Sequence, residues 1–296
     1  MMTLRRLSAV AVALGCFVQT PRGSADEARP HVKIRGVYGS VPVELMAEGT
    51  KLGDSGVNAV FMGSRGLTAE RVGLLKEHGA KEFADFNTMH VASYVKEHPD
   101  AAPVGRDGRV CPPPHGWQGL CPTHEGYRAW RMDAFRTLLA THAIDGVWLD
   151  YHHAHASWER ADPVLPDTCL CMRCIQRFLD ATDVQVPRGS TFAAIRPLLL
   201  DEHREAWTSW RCGVFTDWVR QFREILDATR PEALLGTFHC PWTDEERDGA
   251  IRNKLAIDLK AQARYVDVLS IMPYHARFGH ATDPAWISRQ SRWLLS

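Results

Sequence analysis

Apolar residues along this chain gather in short runs that close on turn-forming or polar residues, with longer amphipathic stretches between them. The runs are residues 33–39 (KIRGVYG), 57–63 (VNAVFMG), 81–87 (KEFADFN), 145–151 (DGVWLDY), 234–240 (LLGTFHC) and 266–274 (VDVLSIMPY). Each has the length and the β-branched or aromatic content of a strand buried in a parallel sheet. Residues 43–52, 69–78, 125–142, 172–181, 204–229 and 250–263 instead repeat apolar side chains at helical spacing. Such alternation predicts βα units.

No glycine fingerprint for a dinucleotide follows the first run, and no Gly-rich phosphate loop with its lysine occurs anywhere. A (β/α)8-type TIM barrel, an α/β fold, is therefore favoured over a nucleotide-binding sheet. Its chemistry is expected at the carboxyl ends of the strands. About six βα units are present, and only 22 residues follow the sixth run. The expected organisation is a signal peptide over 1–25 and a barrel domain over 26–296, truncated before strands 7 and 8. The signal reading rests on Arg5 and Arg6 ahead of an apolar stretch over 7–18, with Gly23, Ser24 and Ala25 preceding Asp26. The apolar stretch is too short to span a bilayer, so a secreted or periplasmic protein is expected. A cut before Cys16, giving a lipoprotein anchor, is the second reading.

Composition narrows the partner. The 296 residues are 45% hydrophobic and 24% charged, which excludes disorder and a bundle of membrane spans. Lys and Arg number 35 against 35 Asp and Glu, so no basic field is available for nucleic acid or an anionic membrane. An uncharged partner is expected, and nothing in the sequence speaks to oligomeric state.

Cys169, Cys171 and Cys174 form a C-x-C-x-x-C block after the fourth run, and Cys121 opens the helix before that run. Three thiols within six residues and a fourth close in the fold match a tetrahedral structural zinc site. Disulfides are the competing reading for an exported chain, and free buried thiols a third. Asp150 ends the fourth run, where an acid belongs at the barrel mouth. It reads as the nucleophile or stabilising carboxylate of glycoside hydrolysis, which needs a second carboxyl group. Candidates are Asp85, Glu159, Asp244 and Glu245; Glu159 leads as acid/base because Trp158 precedes it. Tyr151, His152, Trp158, His239, Trp242, Tyr274 and His275 gather at the same ends of the runs and suit a neutral oligo- or polysaccharide. A carbohydrate-binding barrel without catalysis is an alternative. So is a metal-dependent amidohydrolase built on His153-Ala154-His155.

The segments CPTHEGYRAW, DGVWLDY, PDTCLCMRCIQRF and VDVLSIMPYH, in this order, resemble the TIM barrels grouped as family 10-like glycosyl hydrolases. The cysteine arrangement is similar to the zinc cluster of family 42 β-galactosidases, a likeness that maps the metal onto Cys121, Cys169, Cys171 and Cys174. The resemblance implies a glycosidase whose nucleophilic Asp lies on the fourth strand. Family 42 enzymes carry their second catalytic Glu on the seventh strand, beyond the last run found here.

Overall fold

The computed structural model describes residues 32–39, 43, 46 and 49–296. The export-signal reading and Cys16 lie outside them. Six strands form one parallel sheet: β1 (Gly36–Tyr38), β2 (Ala59–Gly63), β3 (Lys81–Asn87), β4 (Gly146–Asp150), β5 (Leu234–His239) and β6 (Val268–Ile271). Their spatial order follows the chain, β1 to β6, as in a TIM barrel rather than a doubly wound sheet. All six predicted runs contain a strand.

The sheet is strongly curled. Strands β1 and β5 lie four positions apart, about 19 Å in a flat sheet, yet the rings of Tyr38 and Phe238 meet at 5.7 Å. Phe61, Phe83, Trp148 and Phe238 fill the concave side. The Trp148 ring reaches across from β4, and its Nε1–H donates to Ser270 Oγ on β6 at 2.9 Å. Gly236 on β5 makes room: a Cβ there would stand 2.2 Å from the Trp148 ring. The alternate residues Val60, Ala84, Phe86, Val147, Leu149 and Leu235 face outward onto the helices. The fold is thus an incomplete (β/α)8-type barrel with about six βα units.

The helices are α1 (Ala69–Glu77), α2 (Ala92–Glu97), α3 (Glu125–Thr141), α4 (Met172–Ala181), α5 (Phe192–Leu200), α6 (Arg204–Thr229), α7 (Ala250–Asn253), α8 (Leu259–Gln262) and α9 (Ala285–Leu295). None described is long and apolar enough to cross a membrane. The helix expected over 43–52 falls largely outside the described residues. The one expected over 250–263 is broken into α7 and α8. Arg211 donates to the carbonyls of Asn253 and Lys254 at 2.9 and 3.0 Å, and Ala256 turns at φ 57°. The carbonyls that a continuing helix would use are already taken. Helices α2, α5 and α9 were not predicted; α5 carries Pro197 within it, which obscures its pattern.

Two mutations test this packing. Gly236→Ala drives a methyl group into a ring pinned on both sides, and is expected to cost about 1–3 kcal/mol in urea unfolding. Glu82 on β3 is fully buried, and neither of its carboxyl oxygens has a partner. Burial, and next the Asp145 charge, push it from 4.5 up to about 8. The folded chain therefore holds this proton across a range where the unfolded chain has lost it, and stability falls as pH rises from 4.5 through about 8. Glu82→Gln should flatten that decline and stabilise the protein at about pH 9 by on the order of 2 kcal/mol, read from denaturation midpoints.

Candidate active site

Side-chain alternation places Asp85 and Asp150 on the concave side. They share it with Phe83 and Trp148, each two residues earlier on the same strand. The register pairs Asp85 with Trp148 and Asn87 with Asp150, so Asp150 stands one pleat higher on the adjacent strand. That diagonal puts the two Cα atoms about 8 Å apart by strand geometry. Asp150 is only 7% exposed. Its carbonyl accepts from the backbone N–H and the hydroxyl of Thr88, both at 2.9 Å, which ties the loop after β3 to the end of β4. Tyr151 follows at φ 51°, a left-handed turn that is uncommon away from glycine. This turn brings the Tyr151 N–H back to Asp150 Oδ1 at 2.8 Å.

A third acid completes the group. Glu159, in the loop after β4, is paired with Arg277 at 2.7 Å. Burial, then the charge of Asp85 and that of Glu159, hold the Asp150 carboxyl well above the usual range; the Tyr151 N–H opposes them. Burial also raises Asp85, and the Tyr38 hydroxyl, donating to Asp85 Oδ2 at 2.5 Å, opposes part of that rise. Glu159 is raised by burial, and Arg277 opposes that shift. Tyr274 is raised by burial and by all three acids, which places its hydroxyl in the same field.

The other sequence candidates divide. Tyr151 and Tyr274 border the acids. Trp158 and Trp242 lie buried in a cluster under the loops after β4, β5 and β6, and Trp158 also lines the pocket beside Tyr151 and Glu159. Trp158 stacks on Phe278 at 5.9 Å, and its Nε1–H donates to His153 Nε2 at 2.9 Å. His152 bonds Thr88 Oγ1 at 3.2 Å and the Phe215 carbonyl at 2.9 Å, spending both nitrogens beneath α6. His239 falls on the helix-facing side by strand alternation, with Nδ1 against the Cys240 carbonyl at 2.9 Å. Burial lowers His152, His153 and His239 to about 4 each. His275 sits in the turn after β6. Asp244 and Glu245 line a separate surface groove with Glu205 and Asp248.

Sequence reasoning missed two residues at this mouth. Trp117, 41% exposed, lays its ring against Tyr151 at 5.1 Å, and His90 lies 5.0 Å from Tyr151 on another side. Both belong to the long loop between β3 and α3, where no periodicity marks them. The pocket they border also touches His153, Ser157 and Glu159.

Cys121, Cys169, Cys171 and Cys174 converge, with all four sulfur atoms within 4.8 Å of one another. The Cys121 sulfur lies 3.6 Å from that of Cys171 and 3.5 Å from that of Cys174. These separations are too long for a disulfide, which spans about 2.05 Å. They approach the edge of a tetrahedron of four thiolates around one ion, about 3.8 Å for metal–sulfur bonds of 2.3 Å. Val104 N–H donates to Cys169 Sγ at 3.4 Å and Arg173 to Cys121 Sγ at 3.6 Å, so donors to charged sulfur are in place. The cluster is compatible with a structural metal ion. It joins the two long connecting segments, residues 88–124 and 151–203, that adjoin the ends of β3 and β4. Among the described residues no comparable group of histidines and acids forms. His155 is spent on the Gly119 N–H and the Pro112 carbonyl, both at 3.0 Å.

Neither protein-family models nor curated proteins match this chain. Solved structures do. The PgaB (BpsB) glycoside hydrolase domain from Bordetella bronchiseptica superposes with a TM-score of 0.62 at 14% identity, over 87% of this chain and 78% of that one. A β-galactosidase from the Antarctic haloarchaeon Halorubrum lacusprofundi gives 0.55 at 13% identity, over 85% of this chain. Gan42B, a GH42 β-galactosidase from G. stearothermophilus, gives 0.55 at 14%, over 86%. This chain spans 42% of the length of each of those two β-galactosidases. The likeness to family 10-like hydrolases thus has no matching family model behind it, and what the chain shares with these neighbours is a glycoside-hydrolase-like barrel fold.

Proposed function

We propose that the protein hydrolyses glycosidic bonds of a neutral saccharide at the carboxyl cluster of Asp85, Asp150 and Glu159. The observation that carries this reading is the pairing of Asp85 and Asp150 on one concave face at the strand ends, where barrels of this architecture do their chemistry. The glycoside hydrolases among the structural neighbours support it at the level of fold.

The environments set the two acids apart. Asp150, buried and facing Asp85, keeps its proton and is the group that donates it to the leaving oxygen. Asp85, held by the Tyr38 hydroxyl, is the carboxylate that stabilises positive charge at the anomeric carbon as the C–O bond breaks. Water then adds at that carbon and gives a proton to the Asp150 carboxylate, which restores the acid. These roles differ from those read from sequence, which made Asp150 the nucleophile or stabilising carboxylate and Glu159 the acid/base. Glu159 has Arg277 to oppose the rise that burial gives its carboxyl, whereas Asp150 has only the Tyr151 N–H against a larger rise.

The test is a pair of variants assayed on two substrates. Asp150→Asn should lower kcat on a natural glycoside by about 10²–10⁴-fold, and far less on an aryl glycoside whose leaving group needs no proton. Asp85→Asn should abolish both activities. Equal losses on both substrates for Asp150→Asn would reverse the roles, and unchanged hydrolysis in both variants would end the proposal. In the unmutated enzyme, kcat/KM should fall as pH rises through the elevated pKa of Asp150.

The ion held by Cys121, Cys169, Cys171 and Cys174 is proposed to be zinc. Four thiolates close a tetrahedral shell and leave no position for water, so its part is to fix the loops around the acids. Elemental analysis should find about one zinc per chain. Chelation should lower the melting temperature and leave Cys174→Ser unaffected.

A further inference from the structure

His90 stands out among the imidazoles of the described residues. Both of its ring nitrogens are buried without a hydrogen-bond partner. Its neighbour His153, by contrast, meets the Ala154 carbonyl at 2.7 Å and the Trp158 N–H at 2.9 Å. Leaving two polar atoms of one ring unmet costs stability, so the position calls for a reason. The backbone of His90 is also held in place. Asn87 Oδ1 accepts from the His90 N–H at 3.0 Å, and Asn87 Nδ2 donates to the His90 carbonyl at 2.8 Å. Asn87 is the register partner of Asp150, which fixes the ring beside the acid-bearing strand end.

What surrounds the ring describes its ligand. Trp117 and Tyr151 pack around it with centroids at 6.1 and 5.0 Å, and Trp117 keeps an exposed face. The same pocket includes Glu159. Burial, then His153 and His155, hold His90 far below the usual imidazole range, so the ring is neutral, with one N–H donor and one bare acceptor. A sugar hydroxyl both donates and accepts, so it can meet either ring nitrogen. The aromatic faces suit the C–H face of the same ring, and the nearby acids oppose an anion.

We propose that His90 is a positioning residue that hydrogen-bonds a hydroxyl of a neutral pyranoside through one ring nitrogen, with Trp117 as the stacking platform of that subsite. The proposal rests on the glycosidase reading above and specifies which group reads the sugar. The ring nitrogens are covered in this conformation, so binding requires the loop around His90 to open for the sugar.

The experiment uses the full chain carrying Asp150→Asn, and a pool of methyl α- and β-pyranosides of glucose, galactose, mannose and N-acetylglucosamine. Saturation-transfer NMR identifies the bound member, and titration gives its affinity. Adding His90→Leu should weaken binding about tenfold or more. The melting temperature should hold or rise, because an unmet imidazole has been replaced by an apolar side chain of similar volume. His90→Gln should recover part of the affinity, and in the Asp150 enzyme His90→Leu should raise KM more than it lowers kcat. A lower melting temperature in His90→Leu makes the residue structural and overturns the proposal. So does unchanged affinity, or failure of every pyranoside to bind. Hydrolysis by the unmutated enzyme together with unchanged affinity in His90→Leu removes only this inference. His90-dependent binding without turnover removes only the hydrolase reading.

Discussion

The curvature of the sheet rests on one side chain, Trp148, laid across its concave face. The indole is fully buried, edge-on to Phe61 at 4.9 Å, against Phe83 at 4.6 Å, and hydrogen-bonded to Ser270 two strands away. Gly236 is the reciprocal half of this contact, since any larger residue would occupy the ring's volume. With the lower part of the hollow filled by aromatic rings, the next inward layer is the first to reach the mouth. Asp150 occupies that layer on β4, two residues after Trp148, and Asp85 lies beside it on β3. The packing and the carboxyl cluster are therefore two consequences of a single period-two pattern.

That pattern is why so much of the fold was legible. Runs such as VNAVFMG and DGVWLDY are apolar on both faces, as strands must be when one face meets helices and the other an aromatic plug. Helices with an uninterrupted stripe, residues 125–142 and 204–229, are found with nearly the expected ends. The failures have local causes. The break between α7 and α8 depends on Arg211, more than forty residues away in sequence, reaching two carbonyls. No pattern within 250–263 announces such a partner.

The site was legible where strands carry it and illegible where loops do. Asp85 and Asp150 follow from strand ends, whereas Trp158 and Trp242 look identical in sequence to surface aromatics. Only the folding back of the loops after β4, β5 and β6 buries them against Phe278 and Trp286. His152 shows the same limit: it adjoins Asp150 in sequence but points under α6 to a carbonyl of Phe215. Conversely, His90 and Trp117 lie far apart in a long aperiodic loop, and only the folded loop brings them to Tyr151.

The economy of the mouth argues for a task other than stability. Three acids share a partly desolvated region in which Arg277 pairs with Glu159 alone, and Asp150 has only the Tyr151 N–H and its proton to offset burial. A neutral amide or an aliphatic residue would fold at lower cost in that position. The loops that create this cost are also the ones drawn together by the four cysteines, which span both sides of Asp150. Four converging thiols at that location are compatible with a metal cross-link behind the mouth, and they contribute no group to the hollow. Strain at Tyr151 and desolvated acids concentrated at one mouth are the distribution expected where geometry is held for chemistry.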